Sequence, residues 1–415
     1  MNPQDIDLSK VRLFHTEKPL KDIPKRIHEI CDPMASQIKP GSKIAIAVGS
    51  RGIANIDTIV KEVVDAVKRA GGTPFIIPAM GSHGGATAEG QRAILAGYGI
   101  IEEKMGAPVC SSMETTYLAD AHCEPAFPVF LDRYAYESDG VIVINRVKPH
   151  TDFHSAHESG IVKMLVIGLG KQRQAEIMHR FGAAGLAELI PHAAQTILSS
   201  GKILCGIAIL EDGFDNTSDI VFSSPNDFFA VDGELLKRSR LMIAKLPFEN
   251  IDILIVDEIG KNISGSGMDT NVIGRMRIHG QEDSMPFCRL IVALDLTKAS
   301  HGNAIGIGLS DITTQRLCKK INWDATNANV ITSGFLQRGF LPVVAENDEE
   351  AIAIALNSES FDSSTLRLVR IKNTLVLDEI YVSYSLLEGL VQAGKGQIVE
   401  EHVPLSFSGG RINKF

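Results

Sequence analysis

A chain of 415 residues is long for one hydrophobic core, and two domains are the expectation. Its 44% apolar and 22% charged residues exclude a disordered or fibrous protein and fit a globular one. A formal net charge of -9 argues against general nucleic-acid binding, which needs a basic face, but leaves room for a few arginines to hold a small anion.

The first predicted element is the apolar run at 43–48 (Lys-Ile-Ala-Ile-Ala-Val), which ends at Gly49 as a buried parallel strand would. Apolar residues at helical spacing (Ile56, Ile59, Val60, Val63, Val64, Val67) predict a helix over 56–69, stopped by Gly71-Gly72. A strand at 73–78 and a loop from Gly81 follow, with Thr87 as N-cap of a helix to about 97. The pattern resumes with a strand at 140–147, a helix at 184–200, a strand at 203–210 and a helix at 226–244. Residues 246–251 read as a connector. Beyond it, strands are expected at 251–256, 290–296 and 330–333, helices around 310–320 and at 348–357, and a strand then a helix within 364–393. Such alternation is α/β layering on parallel sheets. The expected architecture is two α/β domains with the active site in the cleft between them. The first, 1–248, has a Rossmann-like parallel sheet, and the second is 249–415, its last segment able to return to the first.

The six cysteines, at 31, 110, 123, 205, 288 and 318, include no CxxC pair and read as small buried hydrophobes in a reducing compartment. The N-terminus is acidic without an apolar signal core, and no apolar run approaches the roughly 20 residues of a membrane span. A cytoplasmic protein with neither membrane nor nucleic acid as partner is expected.

Open α/β sheets bind ligands beyond the carboxyl ends of their strands. Three such loops carry polar chemistry: Gly49-Ser50-Arg51-Gly52, Gly81-Ser82-His83-Gly84-Gly85, and Lys148-Pro149-His150-Thr151-Asp152. On this fold Arg51, His83 and His150 converge on one crevice. Glycines beside Arg51 favour close approach to an anion, although an arginine there also serves as a helix cap or surface pair. Downstream, Lys163 sits among apolar residues, where a lysine loses its proton readily and becomes a nucleophile or covalent anchor. His150, His154 and His157 have the spacing of a zinc-binding helix face, yet Pro149 and Thr-Asp-Phe argue for a turn. Gly168-Leu-Gly170 lacks the third glycine of a dinucleotide fingerprint, and Gly265-Ser-Gly267 lacks the Gly-Lys-Ser/Thr of a phosphate loop.

The ordered set Gly81-Ser82-His83, Pro149-His150, Ser159-Gly160-x-x-Lys163 and then His179 resembles the N-terminal domain of the nickel-dependent lactate racemase family. The resemblance extends through Asp269-x-Asn271. It implies a nickel-pincer nucleotide, a pyridinium thioamide/thiocarboxylate mononucleotide, attached covalently to Lys163. His179 would be the protein ligand to nickel, and Arg51, Gly81, Ser82, Ser159 and Gly160 would contact the cofactor. It implies a racemase or epimerase of a 2-hydroxy acid, an isomerase working by reversible hydride transfer, with His83 and His150 as the two acid/base groups and cofactor-synthesis enzymes as partners.

The chain departs from the family at several places. Val48 stands where the family has an aspartate three positions before the arginine, and about three extra residues separate His150 from Ser159, so His154 competes with His150 for the second acid/base role. Ile273 and Gly274 replace a Tyr-Gln pair, and Arg277 replaces a lysine. A smaller, more basic wall formed by Arg275 and Arg277, with Asn271 and Arg51 as further substrate contacts, implies a substrate larger or more anionic than lactate. The competing readings are a zinc hydrolase or dehydratase built on His150, His154 and His157, and a non-catalytic homologue that binds a ligand.

Overall fold

The structure, a computed structural model, describes residues 1–50 and 52–415. In chain order its principal strands are β1 (Asp7–Leu13), β2 (Lys43–Val48), β3 (Thr73–Pro78), β4 (Thr115–Asp120), β5 (Pro128–Asp132), β6 (Gly140–Arg146), β7 (Ile203–Glu211) and β8 (Thr217–Ser223). They continue with β9 (Asn250–Val256), β10 (Phe287–Ala293), β11 (Ile312–Thr314), β12 (Val343–Ala345), β13 (Leu368–Ile371), β14 (Glu379–Ser383) and β15 (Gly396–Pro404). The chain divides into two compact units, Thr16–Ile243 and Met1–His15 with Ala244–Phe415. Both are mixed α/β.

In the unit Thr16–Ile243 the strand order is β3-β2-β6-β7-β8, parallel from β3 to β7 and closed by antiparallel β8. The apolar run that marks β2 in the sequence is explained by burial on both faces, Ile44 to Val48 being buried throughout. Helix Ile56–Arg69 lays Ile59, Val60, Val63, Val64 and Val67 into the same core, and Thr87 caps Ala88–Gly97 by accepting from the Gly90 N–H at 3.0 Å. From β2 the chain proceeds to β3 on one side, and β6 lies on the other. The order reverses there, so the carboxyl ends of β2 and β6 flank a switch point, where an open sheet leaves a crevice.

The other unit has the order β12-β11-β10-β9-β13-β14-β1-β15, parallel from β12 to β13 and antiparallel beyond, with an apolar cluster on each face. This corrects the expected division of the chain. Residues 1–15 do not belong with the segment that follows them, because β1 lies between β14 and β15 and buries Leu8, Val11 and Leu13. The last strand, β15, pairs with β1 and so does not return to the first domain. Residues 330–333, expected as a strand, finish the helix Trp323–Ser333. The Asn322 side chain caps its start, and Gly334 ends it in a left-handed conformation, so the helix boundaries override the local β-branched pattern. The stretch around 310–320 holds a short strand before its helical turn.

Among the described residues no helix is long and apolar enough to cross a membrane, and the six cysteines are unbridged.

Candidate active site

Four segments meet at the switch point: the loop after β2, the loop after β3, the end of β6 with its following loop, and the helical turn carrying Lys163. They line a cleft of about 690 Å³, including its open mouth, within the unit Thr16–Ile243. Close backbone approach is the local device that assembles it. The Gly81 N–H donates to the Gly168 carbonyl at 3.3 Å, and Gly81 takes a φ of 60° that favours glycine. A Cβ on Gly168 would stand 2.8 Å from the Ala79 carbonyl oxygen. The Met164–Gly168 turn is widened, the Leu169 N–H reaching back to the Met164 carbonyl at 3.0 Å, an i→i+5 bond of the sort concentrated at functional sites. Asn145, at the end of β6, donates to the Gly160 carbonyl at 2.9 Å.

Of the residues expected from the sequence, His83, His150, Ser159, Gly160 and Lys163 line this cleft. His83 Nδ1 is held by Ser50 Oγ at 2.6 Å. His150 is buried, and its ring stacks on Phe153 with centroids 4.6 Å apart. His150 Nδ1 accepts from the Asp152 N–H at 3.0 Å, and Nε2 meets the Lys163 amine. That amine also lies 5.6 Å from the centre of the Phe153 ring. Gly81 shapes the wall through its backbone, whereas Ser82 is exposed.

His179 ends the helix Lys171–His179 and is not among the residues lining the cleft, but it lies near enough to Lys163 to feel its charge. Its Nδ1 is buried without a hydrogen-bond partner. Burial, and then the charge of Lys163, lower its pKa against the opposing charge of Asp152. The neutral imidazole that metal ligation needs is therefore favoured. Arg51 lies outside the described residues.

The sequence did not single out the groups that hold this arrangement. Two buried carboxylates clamp the His150–Lys163 segment. Glu158 accepts the N–H of His150 at 2.6 Å and of Ser155 at 3.0 Å, and pairs with Arg240. Asp232 accepts the Val162 N–H at 3.2 Å and meets His157 Nδ1 at 3.2 Å. Asn145, Arg146 and Lys148 also line the cleft, Arg146 being paired with Glu211. No aspartate or glutamate is among the described lining residues, which include the basic side chains of Arg146, Lys148 and Lys163. Carboxylates at 158 and 232 read as surface residues until the fold shows them buried.

The three-histidine zinc cluster is not brought together. His154 pairs with Glu158 at 3.3 Å, His157 with Asp232, and His150 with Lys163. Among the described residues no three His, Cys, Asp or Glu side chains form a metal-ligand group. His154 does not line the cleft, which leaves His150 there.

Asn271, Arg275 and Arg277 belong to the other unit. The buried Arg275 guanidinium bonds the carbonyls of Leu309 (3.1 Å), Cys288 (2.7 Å) and Arg289 (3.0 Å), and Asp311 at 2.5 Å. These bonds give it a scaffolding role within its own unit, whereas the sequence reading placed it in a basic substrate wall. Arg277 reaches the same Asp311 at 2.9 Å from a more exposed position. Asn271 Nδ2 donates to Asp269 Oδ1 at 3.0 Å.

Residues 48–232, which carry all the cleft-lining segments, match a domain family of unknown function, DUF362. No curated protein matches the chain in sequence. Among solved structures, the lactate racemase apoprotein from Thermoanaerobacterium thermosaccharolyticum superposes with a TM-score of 0.56 at 13% identity, covering 89% of this chain and 98% of that one. The chain thus has the fold of lactate racemase, with the DUF362 match spanning its candidate site.

Proposed function

We propose that this protein is a racemase or epimerase of an anionic 2-hydroxy acid, working with a nickel-pincer nucleotide tethered to Lys163. The observation that carries this reading is the convergence of His83, His150 and Lys163 on one cleft with no described carboxylate in its wall. Such a wall favours a carboxylate or phosphate ligand and disfavours a cationic one.

The residues present fit the cofactor. His179 offers a half-buried imidazole whose buried Nδ1 lacks a hydrogen-bond partner. Gly49, Gly160 and Gly168 line the cleft without side chains, and Lys163 presents an amine to it. Lys163 would supply the covalent attachment and His179 the protein ligand to nickel, an imidazole among soft donors suiting Ni(II). When bound, such a group supplies a reversible hydride acceptor, the difficult half of the chemistry.

The chain's own residues supply the other half. The C2 hydrogen of a 2-hydroxy acid is poorly acidic beside a carboxylate, so it leaves more easily as hydride if the hydroxyl proton leaves with it. That loss gives a 2-keto acid, and return of the hydride to the opposite face of C2, with a proton to the oxygen, inverts the centre. One base must take the hydroxyl proton in each substrate orientation. His83 and His150 approach the cleft from different strand ends and have the chemistry for it. Lys148 and Arg146 would orient the carboxylate.

The test is to produce the protein with the cofactor-building enzymes and offer a panel of chiral 2-hydroxy acids. Active protein should contain nickel and an added mass on the peptide bearing Lys163, and deuterium at C2 should be retained through inversion. Active protein with an unmodified Lys163 would overturn the covalent-cofactor reading.

A further inference from the structure

Behind the His83 loop runs a buried polar chain that the proposed chemistry does not use. Lys171 and Asp132 are both fully buried, and Lys171 holds a left-handed φ of 56°, costly for a residue with a side chain. Around Lys171 Nζ stand three acceptors: the Pro78 carbonyl at the end of β3, Gln91 Oε1 at 3.2 Å, and Asp132 Oδ2 at 3.1 Å. Burial lowers the Lys171 pKa and raises that of Asp132, so the pair is held by its contacts, the Pro78 carbonyl and Gln91 Oε1 accepting from the amine in either charge state.

Gln91 passes the restraint on. Its Oε1 faces Lys171, which turns Nε2 toward the loop, where it donates to the Gly81 carbonyl at 2.7 Å and the His83 carbonyl at 3.2 Å. Both amide N–H groups are used, and Gln91 is itself fully buried. Lys171 therefore ties down the strand end at Pro78 and, through one amide, the two carbonyls that bracket Ser82.

We propose that Lys171 and Gln91 are positioning residues that fix the Gly81–His83 loop and so aim the His83 imidazole into the cleft. The catalytic part of this proposal rests on reading His83 as an acid/base group; the loop clamp does not. Removing Lys171 would open a hole beside the fully buried Asp132 carboxyl and take away its nearest cationic partner, and is expected to unfold the protein. The test therefore uses Gln91→Met, which keeps side-chain length and loses both donors.

In the apoprotein, hydrogen exchange at the Gly81–Ala86 amides should speed up tenfold or more while β2 and β6 stay protected. The ring signals of His83 should broaden or shift while those of His150 do not. In cofactor-loaded protein kcat should fall about tenfold or more with little change in KM, the range for groups that orient a reacting residue. Unaltered loop exchange and an unaltered His83 in folded Gln91→Met would overturn the proposal, as would equal changes at His83 and His150. If Gln91→Met does not fold, Gln91→Glu gives the same readouts, because at neutral pH it keeps an acceptor for Lys171 and has neither donor. A loosened loop in a protein that racemises nothing would sustain the clamp and defeat the racemase reading.

Discussion

The backbone N–H of His150 donates to the buried carboxylate of Glu158 at 2.6 Å. Burial pushes the Glu158 carboxyl up, but bonds from His154 and the N–H groups of His150 and Ser155, with the charge of Arg240, outweigh it and hold its pKa below the usual 4.5. A carboxylate whose pKa is depressed by folding stabilises the fold fully above its unfolded value. That contribution is lost as pH falls below 4.5 through the folded-state pKa. Melting temperature should therefore fall more steeply below that pH in the native protein than in Glu158→Gln, which starts about 1–3 kcal/mol less stable at neutral pH. Parallel acid limbs for the two proteins would refute the assignment.

His83→Ala and His150→Ala should each reduce racemisation by roughly 10²- to 10⁴-fold, the usual contribution of a positioned acid/base. Nickel content should be unchanged, because His179 is on a separate element. Chiral chromatography with elemental analysis checks both. Full activity in either variant would leave the two-base scheme without support.

Gly160→Ala tests the clamp on the other side of the cleft. A Cβ at this position would stand 1.9 Å from Asp232 Oδ1, the oxygen that accepts the Val162 N–H. The carboxylate must move, and a loss of about 1–3 kcal/mol in urea unfolding is expected. The His157 ring, bonded to Asp232 Oδ2, should report the shift by NMR.

Arg275 and Arg277 share Asp311 but should behave differently. Arg275→Met removes one partner of a largely buried pair and three carbonyl contacts, and should cost about 3–5 kcal/mol. Arg277→Ala breaks an exposed pair and should cost under about 1 kcal/mol. Were Arg275 a substrate contact instead, Arg275→Met would raise KM without that loss of stability.

The sheet of the unit Thr16–Ile243 was legible because doubly buried parallel strands are unbroken apolar runs, as at 43–48 and 140–146. Gly81, His83 and His150 were legible as loop residues at strand ends. What escaped was non-local. β1 has seven residues whose partners lie more than 360 positions away, and nothing in its own pattern names them. Gln91, Asp132, Glu158, Lys171 and Asp232 are polar residues that sequence statistics assign to the surface, and only the fold shows each buried. The acceptors of Arg275 were hidden for the same reason, since the carbonyls of Cys288, Arg289 and Leu309 and the carboxylate of Asp311 are brought to it only by the fold.

The position of β1 has a consequence for biosynthesis. β1 is a partner of β14 and β15, which are made more than 360 residues after it, so it waits through that stretch of translation before it can pair. The segment Thr16–Ile243 carries all the strands of its own sheet and is able to fold while the rest is still emerging. A fragment beginning near residue 244 would lack an interior strand and expose two unpaired ladder edges, an invitation to aggregate. Supplying residues 1–15 as a fusion beyond Phe415 should restore its solubility.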